Sequence, residues 1–444
     1  MSQKTIFALV DINNCYVSIQ QLFDPKLNGR IVCVLSNNDG CIVARSKEAK
    51  LAGIKMGMPR FQLENMIKED HLDVVMISSN YPLYADMSQR FHNILANSVG
   101  EESATVYSID EAFLDLTSLS ENYDLITYAS ELKDKIQKHI GLPVCIGIGH
   151  SYTEAKMSNF IAKKNDQYNG IFSLVGSDST ALKEKYYKTI DVSEVWGVGR
   201  QYAKKLAALG IYTVQDLTNA NEQTIQTVFG IVLRRTVKEL NCIPSIKIDQ
   251  DDNSRQQIVV SRTFGQRITD LDSMLGAIAE YTQMAHKRMR KDNMICGCIT
   301  VYASSSRFDT KHPYVSDTLT VGLEMATDDV RVMIQKATKA MAKIFKQDVR
   351  YNRCGITLTA LSSVNDRNQS LFDDPAEDKK TEDLMQALES IQSKFGKAML
   401  GFGTANLKNQ AWETKASLKT QNYCSLNEIL VIDDSHMKKA KKQQ

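Results

Sequence analysis

The stretch VYSIDEAFLD spans residues 106–115 and places two carboxylates side by side in an otherwise apolar segment. Its β-branched and aromatic residues predict a strand. Alternation along a strand sends Asp110 and Glu111 to opposite faces unless the strand ends or bulges there. Buried acids are costly without a partner, and a divalent cation is one, since hard cations prefer carboxylate oxygens. The alternative is a strand end that reaches water.

A second acid occupies a similar setting near the N-terminus. Residues 5–12 predict a buried strand, and Asp11 lies near its end. Neighbouring strands run about 5 Å apart, so we expect Asp11 to converge with Asp110 and Glu111 at one sheet edge. Carboxylates that close repel unless cations neutralise them. Two Mg²⁺ ions would do so and would organise in-line phosphoryl transfer, with the main-chain carbonyl of Ile12 as a further ligand.

Length and composition limit the class of protein. A chain of 444 residues, 43% hydrophobic and 24% charged, predicts a soluble protein of several domains. The formal net charge is only +2, so any contact with nucleic acid has to come from local basic patches. The nine cysteines include no CxxC pair, which argues against a zinc site or a disulfide framework. The N-terminal residues resemble neither a signal peptide nor a membrane span, so we expect a cytoplasmic protein with no membrane partner.

Two βαββαβ patterns organise the chain. The first contains the acidic stretch and predicts a ferredoxin-like core. Its other elements are strands at 5–12, 72–77 and 144–149 and helices at 83–99 and 124–140. The second has strands at 258–264, 294–303, 316–322 and 353–360, and helices at 272–291 and 328–346.

Lysines near the first unit suggest a phosphate site. A strand at 30–36, a turn at 37–40 and a returning strand at 41–44 precede a short helix at 47–51. Lys47 and Lys50 lie on one face of that helix. Together with Lys163, from a predicted helix at 151–164, they would offset the negative charge of the acids. The alternative is a solvated charged face.

A glycine turn suggests contact with DNA. Gly197 and Gly199 form a tight turn between two predicted helices, and such a turn exposes main-chain N–H groups that can hold a phosphate. Arg200 and Lys204 add positive charge. With its apolar flanks the segment resembles a helix-hairpin-helix, although a Gly-x-Gly turn alone is only a helix break.

The C-terminal half carries two further signals. Arg262 and Arg307 belong to the second βαββαβ unit and suggest a platform for the nucleic-acid backbone, with ordinary surface charge as the alternative. Beyond it, residues 363–383 are polar apart from Leu371 and Phe372. An isolated apolar pair in such a segment suggests a peptide that docks into a partner's groove, with a plain polar linker as the alternative.

Four motifs together resemble the Y-family DNA polymerases. They read VDINNCY at 10–16, SNNDGC at 36–41, AKLAGIKMGMP at 49–59 and YSIDE at 107–111. The Asn-Asn-Asp-Gly-Cys turn points to the UmuC branch of that family and away from the DNA polymerase IV type. The resemblance runs from about residue 5 through the linker and continues more loosely to about residue 362.

The resemblance implies an α+β, multidomain right-hand polymerase. The expected parts are a ferredoxin-like palm, small fingers, a helix-hairpin-helix thumb, a linker, a βαββαβ little finger and a C-terminal extension. The palm is expected at 1–13 and 82–178, and the fingers at 14–81. The thumb is expected at 179–245, the linker at 246–257, the little finger at 258–362 and the C-terminal extension at 363–444.

The resemblance also assigns roles to individual residues. Asp11, Asp110 and Glu111 match the catalytic, metal-binding acids. Tyr16 matches the steric gate, whose ring blocks a ribose 2′-OH. Lys163 matches a triphosphate-binding lysine.

The chain departs from the family at Lys47, where many relatives have tyrosine, and at Lys50, where they have arginine. A lysine is a point charge without the bidentate fork of arginine, so both triphosphate assignments rest on charge alone. Gln369, Leu371 and Phe372 resemble a sliding-clamp-binding peptide.

The function implied is error-prone translesion DNA synthesis in the SOS response. The implied ligands and partners are primer-template DNA, dNTP, two Mg²⁺ ions, a processed UmuD-like dimer, a RecA filament and the sliding clamp. The expected location is the cytoplasm, at the nucleoid during synthesis.

One alternative function is that of a nucleotidyl cyclase, which shares the palm topology and the acids; the helix-hairpin-helix and the second βαββαβ unit argue against it. Another is a catalytically silent DNA-binding protein, which the presence of all three acids disfavours.

Overall fold

A computed structural model describes residues 5–248 and 255–366, together with residues 380, 383–387, 390–391, 394, 412–413 and 416–424. The chain divides into two compact units. The described residues up to 248 form the first unit together with residues 417–424, and those from 255 to 416 form the second. No helix in these described ranges is long and apolar enough to cross a membrane.

The first unit contains eight strands and eleven α-helices among its described residues. The strands are β1 (Phe7–Ile12), β2 (Ile31–Leu35), β3 (Ile42–Arg45), β4 (Val74–Ser78), β5 (Ala104–Val106), β6 (Glu111–Asp115), β7 (Val144–Gly149) and β8 (Ile171–Ser173). The helices are α1 (Cys15–Phe23), α2 (Lys47–Leu51), α3 (Arg60–Asp70), α4 (Tyr81–Val99), α5 (Leu125–Ile140), α6 (Tyr152–Lys164), α7 (Ser179–Tyr187), α8 (Arg200–Ala207), α9 (Val214–Thr218), α10 (Glu222–Phe229) and α11 (Ile231–Leu240).

A five-stranded sheet forms the centre of this unit, in the order β5-β6-β1-β7-β8. β1 is antiparallel to both β6 and β7. Counted within the βαββαβ pattern, the order 2-3-1-4 is the ferredoxin-like arrangement that the sequence predicts. Its apolar face packs against α4 and α5, in a core that includes the fully buried Val10, Phe91 and Leu114.

The acidic stretch is not the single strand that its composition predicts. β5 ends at Val106 and β6 begins at Glu111, so residues 107–110 form the connection of an antiparallel hairpin. The hydroxyl of Ser108 accepts the backbone N–H groups of Asp110 and Glu111, at 3.2 and 3.0 Å. Such local side-chain bonds compete with strand pairing. The two acids are therefore positioned by a turn.

A small three-stranded sheet, in the order β3-β2-β4, is inserted between β1 and α4. β2 and β3 form the predicted hairpin, and β4 runs parallel to β2 on its other side. The predicted cap of α2 is confirmed, because the Ser46 hydroxyl accepts the N–H of Ala49 at 3.2 Å.

Helix α6 lies unusually close to the central sheet. A Cβ added at Gly147 would meet the backbone nitrogen of Asn159 at 2.0 Å, so only glycine permits this approach. The Asn159 amide donates to the Cys145 carbonyl at 2.9 Å and ties the helix to β7. The close packing determines where the lysines of α6 lie.

Helices α7 to α11 form a separate helical cluster in the first unit. The predicted helix before the glycine turn is a single 3-10 turn at Val192–Glu194, and α8 follows directly after Gly199. Gly197 has φ +87°, a left-handed conformation that glycine adopts without strain. The tight turn is therefore confirmed, while the first of its two flanking helices is shorter than predicted.

The second unit has the predicted βαββαβ element order, with longer strands. Its elements are β9 (Ile258–Ile268), α12 (Leu271–Lys291), β10 (Met294–Ser304), β11 (Ser316–Thr327), α13 (Val330–Ile344) and β12 (Tyr351–Ser363). The sheet order is β11-β10-β12-β9, so the first strand lies at an edge, whereas β1 lies inside the sheet of the first unit. Trp412 packs into this unit against Gly276, where an added Cβ would lie 2.5 Å from the indole ring.

Candidate active site

The three predicted acids come together where β1 ends. Asp11 of β1 lies directly opposite Glu111 of β6 in the antiparallel register. The N–H of Ile12 donates to the carbonyl of Asp110 at 2.9 Å. One strand end and one turn thus bring acids from distant parts of the sequence to the same edge of the sheet.

The turn that carries Asp110 is held from both sides. The Ser108 hydroxyl donates to the Asp110 carboxylate at 2.7 Å. From α4, the His92 ring lies 3.0 Å from the Ser108 carbonyl. Burial lowers the pKa of His92, which favours a neutral ring there. These contacts fix the direction of the Asp110 side chain.

Asp11 is largely buried, and burial raises the pKa of its carboxyl from 3.8 to about 7. The ammonium of Lys163, 2.6 Å from a carboxylate oxygen, acts against this rise and favours the charged form. The negative charges of Glu111 and Asp110 raise the pKa of Asp11 further. Burial of the Asp11 carboxylate therefore favours its neutralisation, by a proton or by an added cation.

Glu111 has a different cation. Both of its carboxylate oxygens lie 3.0 Å from the ammonium of Lys156 on α6. That ammonium also lies 4.6 Å from the centre of the Tyr107 ring and 5.4 Å from that of Trp196. The Trp196 indole N–H donates to the Tyr107 hydroxyl at 3.0 Å. Glu111 is thus oriented by a lysine that is itself packed among aromatic rings.

Each carboxylate is bonded to a donor of the chain itself: Asp11 to Lys163, Asp110 to Ser108 and Glu111 to Lys156. Within the residues that the structure describes, no group of three or more His, Cys, Asp and Glu side chains is arranged so that it could hold a metal ion. The end of β1 and the 107–110 turn are therefore adjacent, whereas the convergence of the three carboxylates on a metal stays a prediction; two of them are held by lysines.

A group of cations lies beside the acids. Burial lowers the pKa of Lys50. Three positive neighbours lower it further: Arg45, Lys163 and Lys164. The Lys50 ammonium also donates to the Asn14 side chain at 2.5 Å. Cations close enough to destabilise one another suit a polyanion such as a triphosphate.

Tyr16 lies in a stack of tyrosines. Its ring is parallel to that of Tyr84, with centres 4.3 Å apart and planes at 12°, and meets Tyr81 edge-on at 6.1 Å. Burial, with a contribution from Tyr81, raises the pKa of Tyr16 to about 12, so its hydroxyl stays neutral. Two helices, α1 and α4, together determine the position of this ring.

The remaining predicted site residues of the first unit lie on its surface. Lys47 is exposed at the first position of α2. Gly197, Gly199, Arg200 and Lys204 are exposed at the turn and along α8. Arg200 and Lys204 are four residues apart and share one face of that helix.

The two predicted arginines of the second unit differ in position. Arg307 is exposed and stacks over Tyr314 at 5.1 Å. Arg262 lies opposite the fully buried Cys354 in the register, on the side covered by helices, and is half-buried. Arg353 lies on the opposite face, over the ring of Tyr302 at 5.7 Å. The predicted clamp peptide, Gln369 with Leu371 and Phe372, falls outside the described residues.

Four residues of this site were not assigned from the sequence: Arg45, His92, Ser108 and Lys156. Ser108 had a local signal, because a serine two residues before an aspartate is typical of a side-chain-stabilised turn. His92 and Lys156 act across long sequence separations, and only the fold brings them to the 107–110 turn and to Glu111. Arg45 is close in sequence to Lys50 and acts on that lysine.

The chain matches three known family models. Residues 10–159 match the impB/mucB/samB family, and residues 255–371 match the C-terminal domain of the same family. Residues 382–432 match a domain of unknown function, DUF4113.

Similar proteins cover almost the whole chain. UmuC of Salmonella typhimurium is 37% identical over 94% of this chain and 97% of its own length. ImpB of Salmonella typhimurium is 36% identical over 94% of this chain and 97% of its own length. Among solved structures, a Y-family DNA polymerase chimera of Dbh and Dpo4 has the same fold. It covers 81% of this chain and 99% of its own, with a TM-score of 0.63 at 22% identity.

These matches identify the family. The two impB/mucB/samB models match the two βαββαβ units and their surroundings. The similarity to the relatives continues into the C-terminal extension. The acids that the sequence predicts lie at one sheet edge of the fold that the matched polymerase shares. The chain therefore belongs to the impB/mucB/samB family, and it is an error-prone translesion DNA polymerase of the UmuC-like branch of the Y family.

Proposed function

We propose that this chain carries out nucleotidyl transfer past damaged bases at the site formed by Asp11, Asp110 and Glu111. The observation that carries the proposal is the junction of β1 with the 107–110 turn. There the Ile12 N–H bonds the Asp110 carbonyl, and Asp11 lies opposite Glu111. Acids grouped in this way are suited to the metal-assisted chemistry of a polymerase.

Dependence on a divalent metal is general in this family. The donor set fits Mg²⁺, since carboxylate oxygens are its usual protein ligands, and the raised pKa of Asp11 supports a site that favours added positive charge. We assign as ligands the three acids and the main-chain carbonyl of Ile12. Two bound Mg²⁺ ions would activate the attacking 3′-hydroxyl and stabilise the pyrophosphate that leaves.

Lys163, one of two lysines of α6 that hold the acids, changes its partner in this proposal. Lys163 holds Asp11, and Lys156 holds Glu111. When these carboxylates bind metal, Lys163 becomes available to a phosphate of the incoming dNTP. Lys50, with Arg45 and Lys164 nearby, adds charge for the same triphosphate. Lys47, exposed at the first position of α2, is proposed to add charge to the same site.

Tyr16 is the proposed steric gate. Its ring stacks on Tyr84, and Tyr81 meets it edge-on. A fixed ring beside the sugar of the nucleotide excludes a ribose by collision with its 2′-OH. The selectivity for deoxynucleotides then depends on how firmly the two tyrosines hold that ring.

The proposed parts of the hand follow the sequence boundaries. We assign the palm to residues 1–13 and 82–178, the fingers to 14–81, the thumb to 179–245 and the little finger to 258–362. The fingers contain only the three-stranded sheet and the helices α1 to α3. Small fingers enclose the nascent base pair loosely, which admits damaged templates and weakens discrimination.

Contact with primer-template DNA is proposed at two surfaces. In the first unit, the N–H groups after Gly197 and Gly199 and the charges of Arg200 and Lys204 suit the phosphate backbone. In the second unit, Arg307 is exposed, and Arg353 is a better candidate than Arg262 because it lies on the face away from the helices.

The proposed partners follow from the UmuC-like relatives. They are a processed UmuD-like dimer, a RecA filament and the sliding clamp, the last through Gln369, Leu371 and Phe372. We place the activity in the cytoplasm at the nucleoid, where the damaged template is.

Primer extension across a template abasic site tests the proposed function. The purified chain is assayed alone and then with the candidate partners, beside Asp110→Ala and Glu111→Ala variants. We expect both variants to lose extension while keeping their affinity for primer-template DNA. Full extension by either variant would remove the metal assignment.

A further inference from the structure

The C-terminal extension sends a short segment back to the first unit. We call residues 417–424 the docked segment; they lie within the match to the domain of unknown function at 382–432. The proposed polymerase mechanism gives this segment no role. Its contacts nevertheless fall on the two helices that carry the tyrosine stack.

The docked segment pairs with the edge of the small sheet. Ser78 at the end of β4 donates its N–H to the Leu418 carbonyl at 3.1 Å. The Leu418 N–H returns to the Ser78 hydroxyl at 2.9 Å. Lys419 forms a parallel bridge with Ser78. The segment thus continues the sheet beyond its last strand and satisfies main-chain groups at that edge.

Asn80 connects the docked segment to α4. Its side chain is completely buried, and its amide nitrogen donates to the carbonyls of Thr420 and Gln421 at 3.0 and 3.1 Å. Its own carbonyl accepts the N–H of Tyr84 at 3.0 Å, in the first turn of α4. The residue that starts the helix is therefore bonded to the segment on one side and to the tyrosine stack on the other.

The two ends of the docked segment make further contacts. Ser417 donates to the buried carboxylate of Asp39 at 3.3 Å, in the Asn-Asn-Asp-Gly-Cys turn. Tyr423 stacks on Phe23 with ring centres 4.9 Å apart and planes at 9°. Phe23 is the last residue of α1, the helix whose second residue is Tyr16. The segment therefore touches the start of α4 and the end of α1.

We infer that the docked segment is a positioning element for Tyr16, and so a determinant of sugar selection; this inference rests on the proposed role of Tyr16 as steric gate. The ring of Tyr16 stacks on Tyr84, and Tyr81 meets both rings edge-on; Tyr81 and Tyr84 both belong to the first turn of α4. A steric gate works only while its ring keeps its distance from the sugar. Loss of the bonds at Asn80 frees the start of α4, so the tyrosines can shift and a 2′-OH can enter.

Two variants break the docking from opposite sides. Asn80→Ala removes the amide that donates to Thr420 and Gln421. Leu418→Pro removes the N–H that bonds Ser78 and leaves all of α4 unchanged. Asn93→Ala is the matched control, because Asn93 lies on the exposed face of the same helix and accepts a bond from Gln89 along it. Tyr16→Ala reports on the gate itself.

Each full-length variant is examined by two measurements. Hydrogen exchange of residues 417–424 reports docking. The ratio of kcat/KM for a dNTP to that for the matching rNTP, on undamaged template, reports sugar selection, and it does not depend on the fraction of active enzyme. We expect both docking variants to lose protection in the segment and to lower the ratio at least about fivefold, the lower end of ordinary coupling between sites. Asn93→Ala should change neither.

The outcomes separate the inference from the function on which it rests. Loss of protection without a change in the ratio would reduce the segment to a cover for a sheet edge and overturn the inference. Retained protection in both docking variants would overturn the docking. A normal ratio in Tyr16→Ala would instead remove the steric gate, whatever the docking variants do.

Discussion

The side-chain ammonium of Lys163 lies 2.6 Å from a carboxylate oxygen of Asp11. The pair joins the last turn of α6 to the end of β1, where the acid is largely buried. The same lysine lies close enough to Lys50 to lower the pKa of that residue. Lys163 is thus within reach of both the acids and the cation group, and one ammonium serves either a carboxylate or a phosphate. Nucleotide binding should therefore transfer it from the first to the second.

Removal of this ammonium should weaken use of the nucleotide. In Lys163→Met the packing volume is kept and the charge is lost. A charge-assisted hydrogen bond contributes about 1.5–3 kcal/mol, so we expect kcat/KM for dNTP to fall about tenfold to a hundredfold, mainly through KM. Steady-state primer extension measures this. Lys138→Met, in the last turn of α5, is the matched control. An unchanged KM in Lys163→Met would contradict the role.

The raised pKa of Asp11 predicts how stability depends on pH in the presence of a chelator. The folded pKa of about 7 lies above the ordinary 3.8, so folding favours the protonated acid. Its stabilising contribution is complete below pH 3.8 and is lost as the pH rises through 7. Between pH 5 and pH 8 the free energy of unfolding should fall by about 3 kcal/mol more in the parent chain than in Asp11→Asn.

Urea unfolding at both pH values measures this difference. Mg²⁺ should restore stability at pH 8 in the parent chain and have little effect in Asp11→Asn, since the ion replaces the proton. Parallel pH profiles for the two proteins would show that the acid is not perturbed.

Lys156 should act through Glu111. We expect Lys156→Met to lower kcat about tenfold to a hundredfold with little change in KM for dNTP, because the acid loses its partly buried partner. Trp196→Phe removes the indole N–H that bonds Tyr107. Since both changes disturb the same aromatic contacts, their effects on kcat should be non-additive by about 1 kcal/mol or more. Strict additivity in the double-mutant cycle would place the two residues in separate roles.

The glycine turn should contribute to DNA binding without regard to sequence. Loss of both charges in Arg200→Ala with Lys204→Ala should weaken binding to every duplex alike. It should also reduce the slope of log affinity against log salt by about 2, since each phosphate contact contributes about 0.9. Fluorescence anisotropy over a salt series measures the slope. The control pair Lys135→Ala with Lys138→Ala, exposed on α5, should leave the slope unchanged.

Much of the architecture was readable from the sequence, for identifiable reasons. Long apolar periods predicted α4, α5 and α12 to within a few residues, and Ser46 signalled the start of α2. The sheet order of the first unit followed from a common motif. The sheet order of the second unit could not be predicted in this way. Both units have the same βαββαβ element order, but the first strand of the second unit, β9, lies at an edge of its sheet.

The site was predictable in its acids and much less in what surrounds them. Asp11, Asp110 and Glu111 each lie within or next to a run of residues that predicts a strand. Their approach at the ends of neighbouring strands could therefore be expected. The hairpin at 107–110 was read as strand, since β-branched and aromatic residues there outweighed the weak turn signal of Ser108. Lys156 and His92 depend on helix packing, which periodicity does not specify.

Metal binding by Asp11, Asp110 and Glu111 can be tested by counting the metal ions in the ternary complex. Mn²⁺, which replaces Mg²⁺ and can be counted by electron paramagnetic resonance, is titrated into the parent chain with primer-template DNA and a non-hydrolysable dNTP analogue. The same titration is made with Asp110→Ala and Glu111→Ala. We expect two ions per parent chain and at least one fewer in each variant. Equal numbers in all three proteins would contradict it.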